Sequence, residues 1–185
     1  MIQMLRSISR VLLSFVLVFS LSACSSGLTA GLEPFQSNDG RYGFLYPTGW
    51  SRVNVENGPA VVFHDLINSD ETLSLVISEL NNEIELENLG SPKEVGERLI
   101  NQLTNQDDSG PEVELLDSQE RNESGHVFYD LEYIASYSET VRHELATVAV
   151  DNGNLYTFAA GTNETRWPKV KGLLSRVVDS FIFLS

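Results

Sequence analysis

The 185-residue chain has one cysteine, at position 24. A single thiol forbids any internal disulfide, so the folded part is held by its core alone. Positive charge is scarce too: 12 Lys and Arg face 26 Asp and Glu, a formal net charge of −14. Phosphate backbones are gripped by clustered Lys and Arg, so this balance argues against a nucleic-acid partner. It also argues against adhesion to anionic lipid through a polybasic patch. No apolar run reaches the roughly 20 residues that a membrane-spanning helix needs. Catalytic signatures are missing: there is no G-x-S-x-G, no G-x-G-x-x-G and no phosphate-binding loop. "HELAT", residues 143–147, begins like the zinc-protease H-E-x-x-H, but Thr147 stands where the second His belongs. The segment also alternates like a strand, so its ligands would not share a helical face. No nucleophile–base pair is in view, and the chain is expected not to be an enzyme.

What is present begins at the N-terminus. Arg6 and Arg10 precede Val11 to Leu21, an uncharged apolar run interrupted by Ser14 and Ser20. This is the length of a signal-peptide hydrophobic region. Leu21-Ser22-Ala23-Cys24 follows and resembles the cleavage site of bacterial lipoproteins. The resemblance implies that residues 1–23 are a signal peptide and that Cys24 is acylated as the new N-terminus. Several acyl chains on one residue anchor durably, where one alone would be marginal. The sulfur would then be used up by lipid, which excludes thiol catalysis. Cleavage would leave 162 residues with 10 bases and 26 acids, a net of −16. That length suits one domain with a sizeable core. "SSGLTAGLEP", residues 25–34, is small, polar and Gly-containing. With Cys24 it reads as a flexible tether over 24–34, leaving 35–185 as the folded domain.

From Phe35 the apolar period is mostly two. "YGFLYP" places Tyr42, Phe44 and Tyr46 on one face, Pro47-Thr48-Gly49 is a turn, and Trp50 to Val55 continues as a strand. "AVVFHDL" and "TLSLVISEL" are further strands. The period then changes. Ser91 as N-cap, Pro92 at the first helical position and Glu94 three residues after the cap form a capping box. Val95, Leu99, Ile100 and Leu103 fall on one stripe of the helix that follows. Residues 107–125 return to loop and strand. "HVFYDLEYIASY" alternates, with Val127, Tyr129, Leu131, Tyr133, Ala135 and Tyr137 on one face. Asn152-Gly153 between two apolar alternations marks a two-residue hairpin. From about Thr165 a second amphipathic helix carries Trp167, Val170, Leu174, Val177, Val178 and Phe181 inward. "FIFL" closes as a short strand. The expected class is α+β: a mostly antiparallel sheet, with one helix on each face giving an α-β-α sandwich.

The order of these segments resembles the PsbP family, in its cyanobacterial lipoprotein branch. The residues that carry the likeness are "YGFLYPTGW" (42–50), "VVFHDLI" (61–67), "LGSPKEVGERL" (89–99), "VFYDLEY" (127–133), "RHELATVAVDNGNLYTF" (142–158), "TRWPKV" (165–170) and "VVDSF" (177–181). The resemblance implies a PsbP-like sandwich, lipid-anchored on the lumenal side of the thylakoid membrane. It implies a non-catalytic auxiliary role in photosystem II, in assembly or support of the oxygen-evolving side, with no required cofactor. Its partners would be core subunits or assembly intermediates, with the protein a monomer when free. Plant members carry an N-terminal arm that helps retain calcium and chloride. Here only ten residues lie between Cys24 and Phe35, all spent on the tether, so docking or assembly carries over and ion retention by such an arm does not.

Two sets of residues are candidates for a site. With Asn152-Gly153 as a two-residue turn, antiparallel register sets His143 opposite Thr162, and Glu164 lies just past the strand end. His143 and Glu164 could thus meet as a nitrogen and an oxygen ligand for Zn or Mn, or simply as a hydrogen-bonded pair. In plant members of the family, a matching histidine and an acid 21 residues on have been proposed to bind metal. His64 and Asp65 are adjacent on a strand, point to opposite faces and do not chelate together. His126 starts a strand and is expected in solvent. The charge is also uneven. Residues 79–123 hold 13 acids and three bases, while 166–176 hold Arg166, Lys169, Lys171 and Arg176 and no acid. Arg166, Lys169 and Arg176 share roughly one helical face. That face is either ordinary solvated surface or a contact for an acidic partner.

Overall fold

The computed structural model describes residues 30–80, 84–105 and 110–184. The segment expected to be a signal peptide and Cys24, the expected acylation site, lie outside the described residues. Strands β1 (Leu32–Gln36) and β2 (Tyr42–Pro47) open the fold, followed by β3 (Trp50–Val53), β4 (Val61–Asp65) and β5 (Thr72–Glu79). Helix α1 (Pro92–Thr104) precedes β6 (Glu112–Glu123), β7 (His126–Ser136), β8 (Val141–Asp151) and β9 (Asn154–Asn163). Helix α2 (Trp167–Asp179) and β10 (Ile182–Phe183) end it. Seven strands form the main sheet in the order β3-β4-β5-β9-β8-β7-β6, and β1-β2-β10 form a small second sheet. Every strand pair among the described residues is antiparallel, and the α+β sandwich is as expected.

Both faces of the main sheet are covered, and alternation along each strand divides the core in two. On one face α1 lays Val95, Leu99, Ile100 and Leu103 against Tyr129, Leu131, Tyr133, Ala146 and Val148. On the other, α2 and the small sheet enclose Phe44, Phe63, Leu75, Phe128, Tyr156, Phe158, Leu174, Val177 and Phe181. Full burial of such side chains stabilises by about 1.5–3 kcal/mol each. The capping box forms: the Ser91 hydroxyl accepts from the Glu94 amide at 3.4 Å, and the Glu94 carboxylate accepts from the Ser91 amide at 2.8 Å. The hairpin turns where expected, with Asn152 and Gly153 at φ 46° and 71°, the positive values a two-residue turn between twisted strands demands.

Several boundaries differ from the sequence reading. Leu32, Glu33 and Pro34 belong to β1, not to a tether, because β1 pairs with β2 from Leu32↔Pro47 onward and Leu32 is buried. The strand from Trp50 stops at Val53, where pairing with β4 ends. Tyr137 leaves the face shared by Val127 to Ala135: β7 ends at Ser136 and the ring is exposed. A short 3-10 turn, Leu86–Leu89, precedes α1 and buries Leu86. His126 is not simply in solvent, for its ring lies 4.8 Å from that of Phe183 and 3.6 Å from the Asp151 carboxylate.

Candidate functional site

His143 points from β8 toward α2. The hairpin register sets it opposite Thr162, and Glu164 follows β9 immediately, its amide donating to the Val141 carbonyl at 2.8 Å. His143 Nδ1 stands 2.7 Å from Glu164 Oε2, so the expected pair is present. The other ring nitrogen, Nε2, stands 2.7 Å from Glu132 Oε1 of β7. The imidazole stacks on the Trp167 indole, centroids 3.8 Å apart and planes 12° apart, and is 5% exposed. Lys171, one turn along α2, donates to Glu132 Oε1 at 3.0 Å and lies over the same indole. A ring facing a carboxylate at each nitrogen can donate to both only when both nitrogens carry protons. Burial pushes the Glu132 carboxyl up, but hydrogen bonds from Lys171 and His143 outweigh it and hold the carboxyl below its ordinary value. The cluster joins β7, β8, the β9–α2 loop and α2.

Glu132, Trp167 and Lys171 complete a site for which the sequence pointed only to His143 and Glu164. Glu132 was legible in principle: it lies two residues from Ile134, the partner of His143, and so projects from the same face. Among the described residues no group of three or more His, Cys, Asp or Glu side chains is arranged to hold a metal ion. At Nδ1 a divalent ion would meet one nitrogen and one carboxylate oxygen, short of the three or four protein ligands of a zinc site. The arrangement fits a hydrogen-bonded bridge better than a metal cage.

The basic residues of α2 are not equivalent. Arg166 is the N-cap residue of α2, not a member of its outer face. Its guanidinium binds the carboxylate of Glu71, a residue that is 4% exposed. Lys169 and Arg176 are exposed on the helix proper. His64 turns back to the Asp65 carbonyl, 3.1 Å from Nδ1. "HELAT" lies within β8. On the opposite face a groove of about 320 Å³ runs between α1 and the β5–β9 pair, lined by Val76, Leu99, Leu103 and Leu155 with Arg98 at its side.

Near this groove Glu144 lies over Gly161 on the neighbouring strand, where a methyl group would collide with its carboxylate. Burial pushes the Glu144 carboxyl above its ordinary value, partly offset by Arg142, whose Nε donates to it at 2.7 Å. Arg142 also donates to the Asp70 carbonyl at 2.8 Å and to the Thr72 hydroxyl at 3.0 Å, tying the start of β8 to the β4–β5 loop.

Among the described residues the fold is an antiparallel α+β sandwich with one helix on each face, and a His–Glu bridge lies at one end of its main sheet. Comparison with known proteins gives the family: the PsbP family model matches residues 30–183. CyanoP of Synechocystis sp. is 39% identical over 175 residues, covering 92% of this chain and 93% of the relative. CyanoP of Thermosynechococcus vestitus is 36% identical over 171 residues, covering 90% and 92%. The solution structure of cyanobacterial PsbP (CyanoP) from Synechocystis sp. PCC 6803 superposes with a TM-score of 0.72 at 38% identity, covering 88% of this chain and 98% of that one. The chain belongs to the PsbP family.

Proposed function

We propose that this chain is a non-catalytic auxiliary protein of photosystem II. It is anchored by lipid at Cys24 to the lumenal face of the thylakoid membrane, and it supports assembly or stability of the oxygen-evolving side. The observation that carries the reading is the extent of the likeness to CyanoP, which runs through the whole folded domain. The polar groups support it from the chemistry. His143, Glu132, Glu164 and Lys171 satisfy one another, and Arg166 is spent on Glu71. The side chains that look most like a site thus hold the fold in shape, leaving outward surface for recognition. Lys169 and Arg176 on α2 are contacts offered to acidic groups of the partner.

Depleting the chain tests this. Water oxidation should recover more slowly after light damage, and wild-type chain should restore the rate while Cys24→Ser restores it only in part. Unchanged recovery in depleted cells contradicts the proposal. A metal-handling role is the second reading, favoured by the 2.7 Å approach of His143 to Glu164. Titration calorimetry with Zn²⁺ and Mn²⁺ decides it: equal heats for wild type and His143→Ala dispose of the site.

A further inference from the structure

Seven large apolar side chains are exposed among the described residues, and four of them stand at one end of the main sheet. Leu66 and Ile67, in the β4–β5 loop, are 68% and 90% exposed. Tyr137 follows the last residue of β7 and Val141 begins β8, and both are exposed. In the strand order β4-β5-β9-β8-β7, these positions span three to four strand spacings, about 14–19 Å. Scattered exposed apolar residues are ordinary; a group of them at one end marks a contact surface.

The loop that carries the most exposed pair is already ordered. The Asp65 carboxylate accepts from the amides of Ile67, at 2.7 Å, and Asn68, and these backbone bonds hold its carboxyl below the usual range. The Glu71 amide donates to the Asn68 carbonyl at 2.8 Å, and the Asp65 amide to the Glu71 carbonyl at 3.0 Å. Asn163 and Arg142 both hold Asp70, and Arg166 holds Glu71. Leu66 and Ile67 are therefore presented in a fixed place, and little ordering entropy remains to be lost on contact. The charge at this end is negative. Arg142 and Arg166 are spent on Glu144 and Glu71, while the two loops that carry the apolar group also carry Asp70 and Glu139, both exposed.

We propose that Leu66, Ile67, Tyr137 and Val141 form a docking surface at this end of the sheet, separate from the Lys169 and Arg176 contacts of α2, and that its occupant is a protein with an apolar cleft rimmed by Lys and Arg. An anionic bilayer would be repelled by the same carboxylates. The surface deepens the photosystem reading and rests on it for the partner's identity alone.

The test places a photo-crosslinking amino acid at Ile67 of the full chain in native thylakoid membranes, and separately at Asn152. The control position is the hairpin tip at the far end of β8, about 34 Å away. Adducts from Ile67 to photosystem II proteins, with few from Asn152, are expected. The variant Leu66→Ser/Ile67→Ser should keep the wild-type melting temperature, since both side chains are already in water, yet lower co-isolation of those proteins at least tenfold. Adducts from Asn152 but not Ile67 would overturn the surface and leave the photosystem reading standing. Adducts from Ile67 to subunits of another complex would keep the surface and overturn that reading. Adducts to lipid or to a second copy of this chain, adducts from neither position, or undiminished co-isolation of the double variant would each overturn the surface.

Discussion

Replacing His143 with Ala tests whether the bridge holds the end of the sheet together. The substitution removes a ring that is 5% exposed, stacks on Trp167 at 3.8 Å and meets Glu132 and Glu164 at 2.7 Å each. Lost packing of an aromatic ring with its cavity falls at or below the low end of the roughly 3–5 kcal/mol range for aromatic truncation, because imidazole is small. The hydrogen bond to half-buried Glu132 adds about 1 kcal/mol. That to Glu164 adds less, because this carboxylate is 45% exposed and screened by water. Lys171 still answers Glu132 after the change, which limits the charge left unpaired. The expected loss is about 3 kcal/mol, or roughly 6–12 °C of melting temperature for a domain of this size. Thermal unfolding followed by circular dichroism reads it directly. Glu132→Gln should cost about 1–2 kcal/mol and Glu164→Gln under about 1. A His143→Ala protein melting within about 2 °C of wild type, or Glu164→Gln costing as much as His143→Ala, would show that the bridge does not hold this end of the sheet.

Three further outcomes follow from the same geometry. Gly161→Ala should destabilise by about 1–3 kcal/mol in urea unfolding, because the methyl must displace the Glu144 carboxylate from Arg142; adding Glu144→Ala should recover much of that loss, and simple additivity would contradict the clash. Ser91→Ala removes the cap of α1 and should cost about 1 kcal/mol, with Ser91→Asp near neutral; equal losses in the two variants would show that the cap is not what holds the helix start. The lowered carboxyl of Glu132 contributes stability that is complete above its unfolded value near 4.5 and is lost as pH falls through the lower folded value. Lys171→Met should therefore lower the urea midpoint at about pH 7, and the gap from wild type should close in strong acid; a gap that widens in acid would contradict the assignment.

Local rules carried much of the fold. The two-residue turn at Asn152-Gly153 leaves no freedom in the register, which is why the meeting of His143 with Glu164 could be anticipated across 21 residues. The capping box at Ser91 and the stripe of α2 are likewise encoded within a few residues. What stayed hidden depends on contacts between distant segments. Glu132 looks like a solvent position in "FYDLEYI", because alternation gives its face but not that Lys171 of α2 lies over it. Arg166 looked like a helix-face cation, but its partner Glu71 lies 95 residues away, and only the completed sheet brings them together. Tyr137 continued the period of β7, yet pairing stops at Ser136↔Val141. The same end of the sheet gathers Leu66, Ile67 and Val141, which sequence spacing alone did not group.

Recognition of a photosynthetic protein complex, in place of turnover of a substrate, is the role we propose for this chain. The most direct measurement is to isolate the full-length tagged chain from mildly solubilised thylakoids and quantify what accompanies it by mass spectrometry. Photosystem II core subunits or their assembly intermediates, enriched well above other thylakoid complexes, are the predicted companions. Recovery of the chain only as a free monomer, from cells actively building the photosystem, would contradict the claim.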